Sequence, residues 1–344
     1  MTAPILVWGG GAIGGTLAAY WARAGRDVLL VDIVAEHVEA CRTTGLAIEG
    51  PVETFTQLIP SLMPEEVRGT FPIIVLAVKA QATPAALAAL APHLAADGYV
   101  LSAQNGLNEI AIADAVGADR TMGCFVNFGA DWLGPGQVLF GNRGAVVVGE
   151  IDGSVRSRTQ AMFELLRVFE PDAVLTDDIW GYLWGKLGYG AMLFATALTM
   201  ESMTGNFEKD ERFPAFDRLG REVMAVARAR GVTPRGFNGF DPAAFMPGAP
   251  VEGSRASVAA LAEFNRHTAK THSGIWRDLA VRRRRTEVDP QIGLIAALGD
   301  QAGIDTPGIR RLVELVHDIE EGRRPQAPET FAELVAACRA APPL

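Results

Sequence analysis

The sequence predicts an α/β fold for the first half of the chain and an all-helical fold for the second. Three observations predict it. Short apolar runs alternate with helical periods as far as Thr176, a glycine fingerprint joins the first run to the first helical period, and from Asp177 onward only helical periods remain. At 344 residues the chain exceeds one typical core, so two domains are expected, 1–176 and 177–344.

Pro4 to Trp8 reads as a short buried strand that runs into Gly9-Gly10-Gly11-Ala12-Ile13-Gly14-Gly15 and then an apolar helix pattern ending near Gly25. Gly9, Gly11 and Gly14 fill the G-x-G-x-x-G positions. These allow a tight turn, a close backbone approach to a pyrophosphate, and packing of helix on strand. Phosphates would sit on the free N–H groups at the start of the helix, around Ala12 and Ile13, where the dipole favours anions. Such a motif is weak alone in a chain with 37 glycines, and its context strengthens it. A second strand, Val28 to Val31, closes on Asp32 at its carboxyl tip, where the fingerprint wants an acid for the ribose hydroxyls. The first domain is therefore expected to be a Rossmann-type, doubly wound sheet that binds a dinucleotide.

A helix from Ala35 to Thr43 follows, then Leu46 to Glu49 and Thr54 to Ile59, two strand-like stretches around Gly50-Pro51 that are expected at the outside of the sheet. Ile73 to Val78 is an uninterrupted apolar run, as in a strand buried on both faces, and it ends at Lys79-Ala80-Gln81. The helix Pro84 to Leu94 and the strand Tyr99 to Ala103 come next, the strand ending at Gln104-Asn105-Gly106. Ligands of open α/β sheets bind outside the carboxyl ends of the strands, so Lys79, Gln81 and Asn105 are placed to meet one. Thr121 to Asn127, Gln137 to Phe140 and Ala145 to Val148 read as an antiparallel extension. A helix from Val155 to Phe169 and a strand from Ala173 to Thr176 complete the domain. The helical periods beyond are Trp180 to Met200, Pro214 to Arg230, Arg255 to Thr268, Pro290 to Gln301, Thr306 to Glu320 and Pro328 to Ala340.

Composition narrows the function. A net charge of −9 argues against a nucleic-acid partner, whose phosphates need a basic surface. Cys41, Cys124 and Cys338 lie far apart with no metal-ligand spacing, which fits reduced thiols in a cytoplasmic protein. No basic segment with an apolar stretch precedes the first strand, so a secretory signal is not expected. The apolar run from Tyr182 to Met200 approaches bilayer length, but Lys186, Gly188, Gly190 and Thr196 interrupt it, and a buried helix is the better reading.

Lys186 is the residue most in need of explanation. A lysine inside an apolar run costs solvation energy unless its head group is used or escapes to water, and burial draws its pKa toward the range of proton transfer. The bland alternative is a lysine that snorkels at a helix end. A second candidate segment runs from Lys270-Thr271-His272-Ser273-Gly274 through Trp276 to Arg282-Arg283-Arg284-Arg285-Thr286-Glu287-Val288-Asp289. Its arginines serve either as a solvated face or in steering an anion. Thr286-Glu287 before the next helix could be capping alone.

Together these pieces resemble the ketopantoate reductases (2-dehydropantoate 2-reductases). The matching elements are Gly9-x-Gly11-Ala12-Ile13-Gly14, the Val78-Lys79-Ala80 region, Gln104-Asn105-Gly106, Gly123 to Ala130, Gly134-Pro135-Gly136, Trp184-Gly185-Lys186-Leu187 and Arg285-Thr286-Glu287-Val288-Asp289. The resemblance implies NAD(P)H-dependent reduction of a small 2-oxo acid in a cleft between the two domains, and pairing of helical domains into a homodimer. By position, Lys186 matches the family's general acid and Asn105 a residue that touches nicotinamide ribose and substrate. Lys79 matches a cofactor-side lysine, and Glu287 the carboxylate that holds the substrate's polar end and the lysine's charge. Hydride delivery builds negative charge on oxygen, and an ammonium stabilises it and gives up its proton.

The departures concern substrate and cofactor. Two asparagines on the family's lysine helix become Gly190 and Phe194, so the pocket should prefer a less polar or aromatic tail. His272 and Ser273 are candidates for replacement polar contacts, unless His272 is an ordinary loop histidine. The family's preference for NADPH goes with a basic residue after the second strand, whereas Asp32 repels a 2′-phosphate, so NAD(H) is expected over NADP(H). The rival readings are a dehydrogenase of the same architecture acting on an imine or 3-hydroxy acid, and a nucleotide sensor without turnover. Retention of both Lys186 and Glu287 speaks against the sensor.

Overall fold

In the computed structural model, which describes residues 4–268 and 271–344, the chain divides into two compact units, Met1–Ile179 and Trp180–Leu344. The first runs β1 (Ile5–Trp8), α1 (Ala12–Arg23), β2 (Val28–Val31), α2 (Ala35–Thr43), β3 (Leu46–Glu49), β4 (Phe55–Gln57), β5 (Ser61–Leu62), β6 (Phe71–Leu76) and α3 (Thr83–Leu90). It continues with β7 (Leu94–Ser102), α4 (Asn108–Val116), β8 (Thr121–Val126), β9 (Gly129–Gly134), β10 (Gln137–Asn142), β11 (Val146–Glu150), α5 (Ser157–Phe169) and β12 (Val174–Leu175).

Eight strands form one sheet in the order β12-β11-β8-β7-β6-β1-β2-β5. From β5 to β8 the neighbours are parallel, and β11 is antiparallel to β8. Alternation along the central strands sends side chains to two cores. Leu6, Trp8, Ile74 and Leu76 meet Leu87, Leu90 and Ile112 of α3 and α4. Val7 and Val75 meet Leu17, Trp21 and Leu165 of α1 and α5. Apolar side chains on both faces are what the unbroken run at 73–78 predicted.

Two strand expectations are corrected. The stretches at 46–49 and 54–59 do not border the main sheet. They form β3 and β4 of a second sheet, ordered β4-β3-β10-β9. The expected antiparallel extension likewise holds for β11 alone, because β9 and β10 leave for this second sheet. The cause is burial: Ile48, Val138 and Phe140 are fully enclosed in the same core as Tyr20 and Trp21 of α1. Pairing β10 with β3, Val138 opposite Ile48, brings these residues onto one covered face.

The second unit is helical: α6 (Ile179–Thr196), α7 (Met203–Phe207), α8 (Phe213–Ala229), α9 (Val251–Arg266), α10 (Gly274–Ala280), α11 (Leu294–Ala302), α12 (Pro307–Glu320) and α13 (Pro328–Ala340). Among the described residues no helix is long and apolar enough to cross a membrane. On α6, Gly181, Gly185 and Gly188 share a face. A Cβ at Gly185 would fall 1.9 Å from Arg235 O, and one at Gly188 would fall 2.6 Å from the Phe240 ring. Glycine costs a helix about 1 kcal/mol per residue relative to alanine, and here it admits the 235–240 segment against the backbone. That segment is tied by the Arg235 N–H donating to Gly181 O at 2.8 Å.

Glu222 of α8 is fully buried and does two things. It pairs with Arg218 at 2.6 Å, and its oxygens accept the Gly308 and Ile309 N–H groups at 2.9 and 2.7 Å. It thereby caps α12 from another helix, in place of Thr306, whose side chain makes no capping bond. Burial pushes its carboxyl pKa up against the pull of Arg218 and the two N–H groups. Removing one partner of a buried pair costs about 3–5 kcal/mol. Glu222→Gln is expected to destabilise by the lower end of that range, read as a lower urea midpoint with an unchanged slope.

Candidate active site

The tips of β2, β1, β6 and β7 stand side by side and carry, in that order, Asp32, the glycine loop, Lys79 and Asn105. Neighbouring strands lie about 4.8 Å apart, so this row extends roughly 14 Å.

Two of the three fingerprint glycines have a steric reason. Gly9 has φ +107°, and a Cβ there would fall 2.8 Å from the Val78 nitrogen on the β6 tip. At Gly14 a Cβ would lie 2.1 Å from Gly9 O, so only glycine lets α1 press on the end of β1. At Gly11 a Cβ would meet nothing within 4 Å. Open space beside the first turn of a helix, whose leading N–H groups have no intrahelical acceptor, suits a diphosphate. Ala12 and Ile13 are the first helical residues and both are half-buried.

Asp32 is half-buried and already engaged. Its Oδ2 accepts the Gly10 N–H at 2.7 Å and its Oδ1 accepts the Val34 N–H at 3.0 Å. These bonds fix the carboxylate and leave lone pairs for ribose hydroxyls. Ile33, which follows, is 76% exposed and brings no positive charge.

Lys79 and Gln81 are exposed where the β6 tip passes into a short turn at Ala80–Ala82. Asn105 is exposed too, but its backbone is held from within. Gln104 Nε2 donates to Val78 O at 2.9 Å and to Thr83 Oγ1 at 2.8 Å. Thr83 donates to Asn108 Oδ1 at 2.9 Å, and Asn108 Nδ2 donates to Asn105 O at 2.7 Å. All three side chains are buried, so this relay locks the β7 tip to the loop after β6. Sequence reasoning missed Thr83 and Asn108, which carry no motif signal apart from following Lys79 and Asn105 closely.

In the second unit, Tyr182, Lys186, Gly190 and Leu193 are the half-buried positions of α6 between Gly181 and Thr196, where every other residue is buried. Their spacing is one helical stripe, roughly a third of a turn around from the glycine face. A Cβ at Gly190 would meet nothing within 4 Å, so the stripe opens one turn beyond Lys186. Phe194 is off the stripe: at 1% exposure its ring belongs to the unit's interior. Tyr182, one turn before Lys186, was not singled out by the sequence.

Glu287 is buried, 8% exposed, and Gln291 N–H donates to its backbone oxygen. Beside it Thr286 is bound through its N–H and Oγ1 to Glu320, both at 2.7 Å, and its Oγ1 accepts the Val288 N–H ahead of the next helix, whose own cap residue Val288 makes no side-chain capping bond. The arginines are a solvated face: Arg282 and Arg284 pair with Asp278, and exposed Arg285 approaches Glu321 at 3.5 Å. Of the 270–276 segment, Lys270 lies outside the described residues. Ser273 caps α10, its Oγ accepting the Trp276 N–H at 3.1 Å. His272 packs against Trp276 with the rings inclined at 35°, and its nitrogens lie 2.9 Å from Thr271 Oγ1 and 3.3 Å from Met200 O. Both therefore have structural partners. Trp276 Nε1, which sequence reasoning passed over, is buried with no hydrogen-bond partner among the described residues and is the donor left to spend there.

Comparison with known proteins gives two family matches that together span most of the chain. Residues 5–153 match the family described as Ketopantoate reductase PanE/ApbA, and residues 178–320 match its C-terminal family. A 2-dehydropantoate 2-reductase of Archaeoglobus fulgidus is 28% identical over 323 residues, 92% of this chain and 98% of that protein. The crystal structure of a PanE/ApbA family ketopantoate reductase from Ralstonia eutropha JMP134 superposes with a TM-score of 0.77 at 26% identity, covering 93% of this chain and 99% of the other. D-mandelate dehydrogenase with NADH and anilino(oxo)acetate gives a TM-score of 0.79 at 22% identity, with coverage of 93% and 99%.

Thr83→Val is isosteric but leaves Gln104 Nε2 and Asn108 Oδ1 against a methyl group. It is expected to cost about 1–3 kcal/mol of unfolding free energy, which Thr83→Ser should restore in a thermal or urea titration.

Proposed function

This chain belongs to the ketopantoate reductase family, and within it we propose an NAD(H)-dependent reductase of a small 2-oxo acid whose tail is apolar or aromatic. The coarser statement, a ketopantoate-reductase-like oxidoreductase working with a nicotinamide cofactor, follows from the family itself. One observation carries the finer reading. On a helix otherwise buried in this stretch, Lys186 stands on the single accessible stripe, and the next position along, Gly190, borders empty space. A hydrogen atom where the family has an amide leaves room and removes a polar contact. D-mandelate dehydrogenase, of the same fold, is known with a ligand that joins an oxo acid to an aromatic amine.

A nicotinamide cofactor, when held by the glycine loop and Asp32, would supply the hydride for the carbonyl carbon. Lys186 donates a proton from Nζ to the carbonyl oxygen, and before that its ammonium stabilises the charge growing there. Glu287 would hold the polar end of the substrate and balance the lysine's positive charge. Asn105, fixed through Asn108, orients the cofactor ribose and the substrate. The buried indole N–H of Trp276 is a further donor for the substrate's oxygens. Pairing into a homodimer belongs to the same reading.

Asp32 supports NAD(H). A carboxylate held in place by Gly10 and Val34 would oppose a 2′-phosphate, and Ile33 offers it no counter-charge. NADH is expected to exceed NADPH in kcat/KM by at least about tenfold, and Asp32→Asn to lower that ratio. A ratio near unity in the unmodified protein would refute the preference.

A panel of 2-oxo acids, imines and 3-hydroxy acids, followed by NADH or NAD absorbance, tests the reaction. Phenyl-bearing 2-oxo acids should surpass ketopantoate. Lys186→Ala should cut turnover about 10²–10⁴-fold while NADH still binds. Turnover confined to imines or 3-hydroxy acids, or unchanged in Lys186→Ala, would overturn the proposal.

A further inference from the structure

The glycine loop is held from beneath by a side chain outside the fingerprint. His37, on α2, is 1% exposed, and its Nε2 lies 2.8 Å from Gly10 O. Its Nδ1 lies 3.0 Å from the Gly136 nitrogen and 3.4 Å from Trp132 Nε1. Backbone and indole N–H groups can only donate, so Nδ1 is the acceptor and the proton resides on Nε2, which donates to Gly10 O. Cys41 Sγ, 3.6 Å from Nε2, is the other polar neighbour. Gly10 is thus fastened at both ends, its N–H to Asp32 and its C=O to His37. A Cβ on Gly10 would fall 3.0 Å from His37 Nε2, so the ring fills the space under the loop.

A peptide unit is planar, and in the trans form its C=O and N–H point in opposite directions. Anchoring Gly10 O inward therefore aims the Gly11 N–H away from His37, and Gly11 carries no side chain that could cover it. Without the anchor a glycine peptide is free to rotate, and ligand binding must supply the cost of ordering it.

We infer that His37 is a positioning residue for the cofactor: it orients the Gly10–Gly11 peptide toward the pyrophosphate, and the turn at Gly134-Pro135-Gly136 holds it in the tautomer that can do so. The inference rests on the nicotinamide reading above. It adds a contact from the second sheet to the nucleotide loop.

The test uses the full chain. His37→Phe keeps a ring without a donor, and His37→Gln keeps an N–H at nearly the reach of Nε2. NADH affinity is measured by fluorescence titration, and KM for NADH and kcat on the best 2-oxo acid by absorbance, with thermal unfolding alongside. His37→Phe should weaken NADH binding and raise its KM about five- to tenfold, the size of one hydrogen bond, with kcat at saturating NADH nearly unchanged. His37→Gln should stay within about twofold of the unmodified protein. A merely structural role would lower the folded fraction and hence kcat, leaving KM for NADH in place. Should His37→Phe fail to fold, His37→Asn, polar but too short to meet Gly10 O, should show the same KM increase. Wild-type NADH affinity in a folded His37→Phe or His37→Asn variant, or equal loss in His37→Phe and His37→Gln, overturns the inference. Absence of NADH binding by the unmodified protein would instead refute the cofactor reading itself.

Discussion

The first unit depends on one close approach, the start of α1 against the tip of β1. At Gly14 there is no room for a single carbon, since a Cβ would overlap Gly9 O at 2.1 Å. That contact sets where α1 begins, and the leading N–H groups of the helix then lie at the carboxyl edge of the sheet. β1 has β2 on one side and β6 on the other, so Asp32 and Lys79 flank the same loop. Trp21, Tyr20 and Leu17, further along α1, then meet the second sheet and α5 in one enclosed core. Backbone geometry at two glycines thus controls both where the leading N–H groups of α1 lie and how the apolar layers stack.

Around this contact the unit spends buried polar groups on precision. Asp32 and His37 tie the two ends of Gly10, and Gln104, Thr83 and Asn108 tie the tip of β7 to the loop after β6. Buried polar groups cost free energy when unsatisfied and rigidify their surroundings when satisfied. Here they are arranged under backbone segments that face the open edge. Exposed residues such as Asn105 owe their placement to neighbours that are themselves hidden.

The helical unit solves a different problem on α6. One face is stripped to glycine so that another segment can lie on the backbone, and a second face carries the accessible stripe with Lys186. A lysine there is tolerable because the stripe is only half-buried, which spares its ammonium the full desolvation cost. Glycine at position 190, one turn further along the stripe, borders open space.

The sequence by itself determined the parallel sheet, the helical second half, the glycine loop and Asp32 at the β2 tip, because these rest on local periodicity and on conformations that few residues adopt. It also singled out Lys186, since one charge in an apolar run is conspicuous without any coordinates. Only the tertiary structure decided that β3 and β4 join β9 and β10, that Phe194 is interior while Gly190 is open, and that Ser273 and His272 have partners of their own. His37, Thr83 and Asn108 could not be read from the chain, because Gly10 and Gly136 lie 27 and 99 residues from His37, Thr83 and Asn108 lie 25 residues from each other, and no spacing announces these pairings. Period and steric permission act between near neighbours and leave a mark in the sequence, whereas the match of a buried donor to a distant acceptor exists only once the chain has folded.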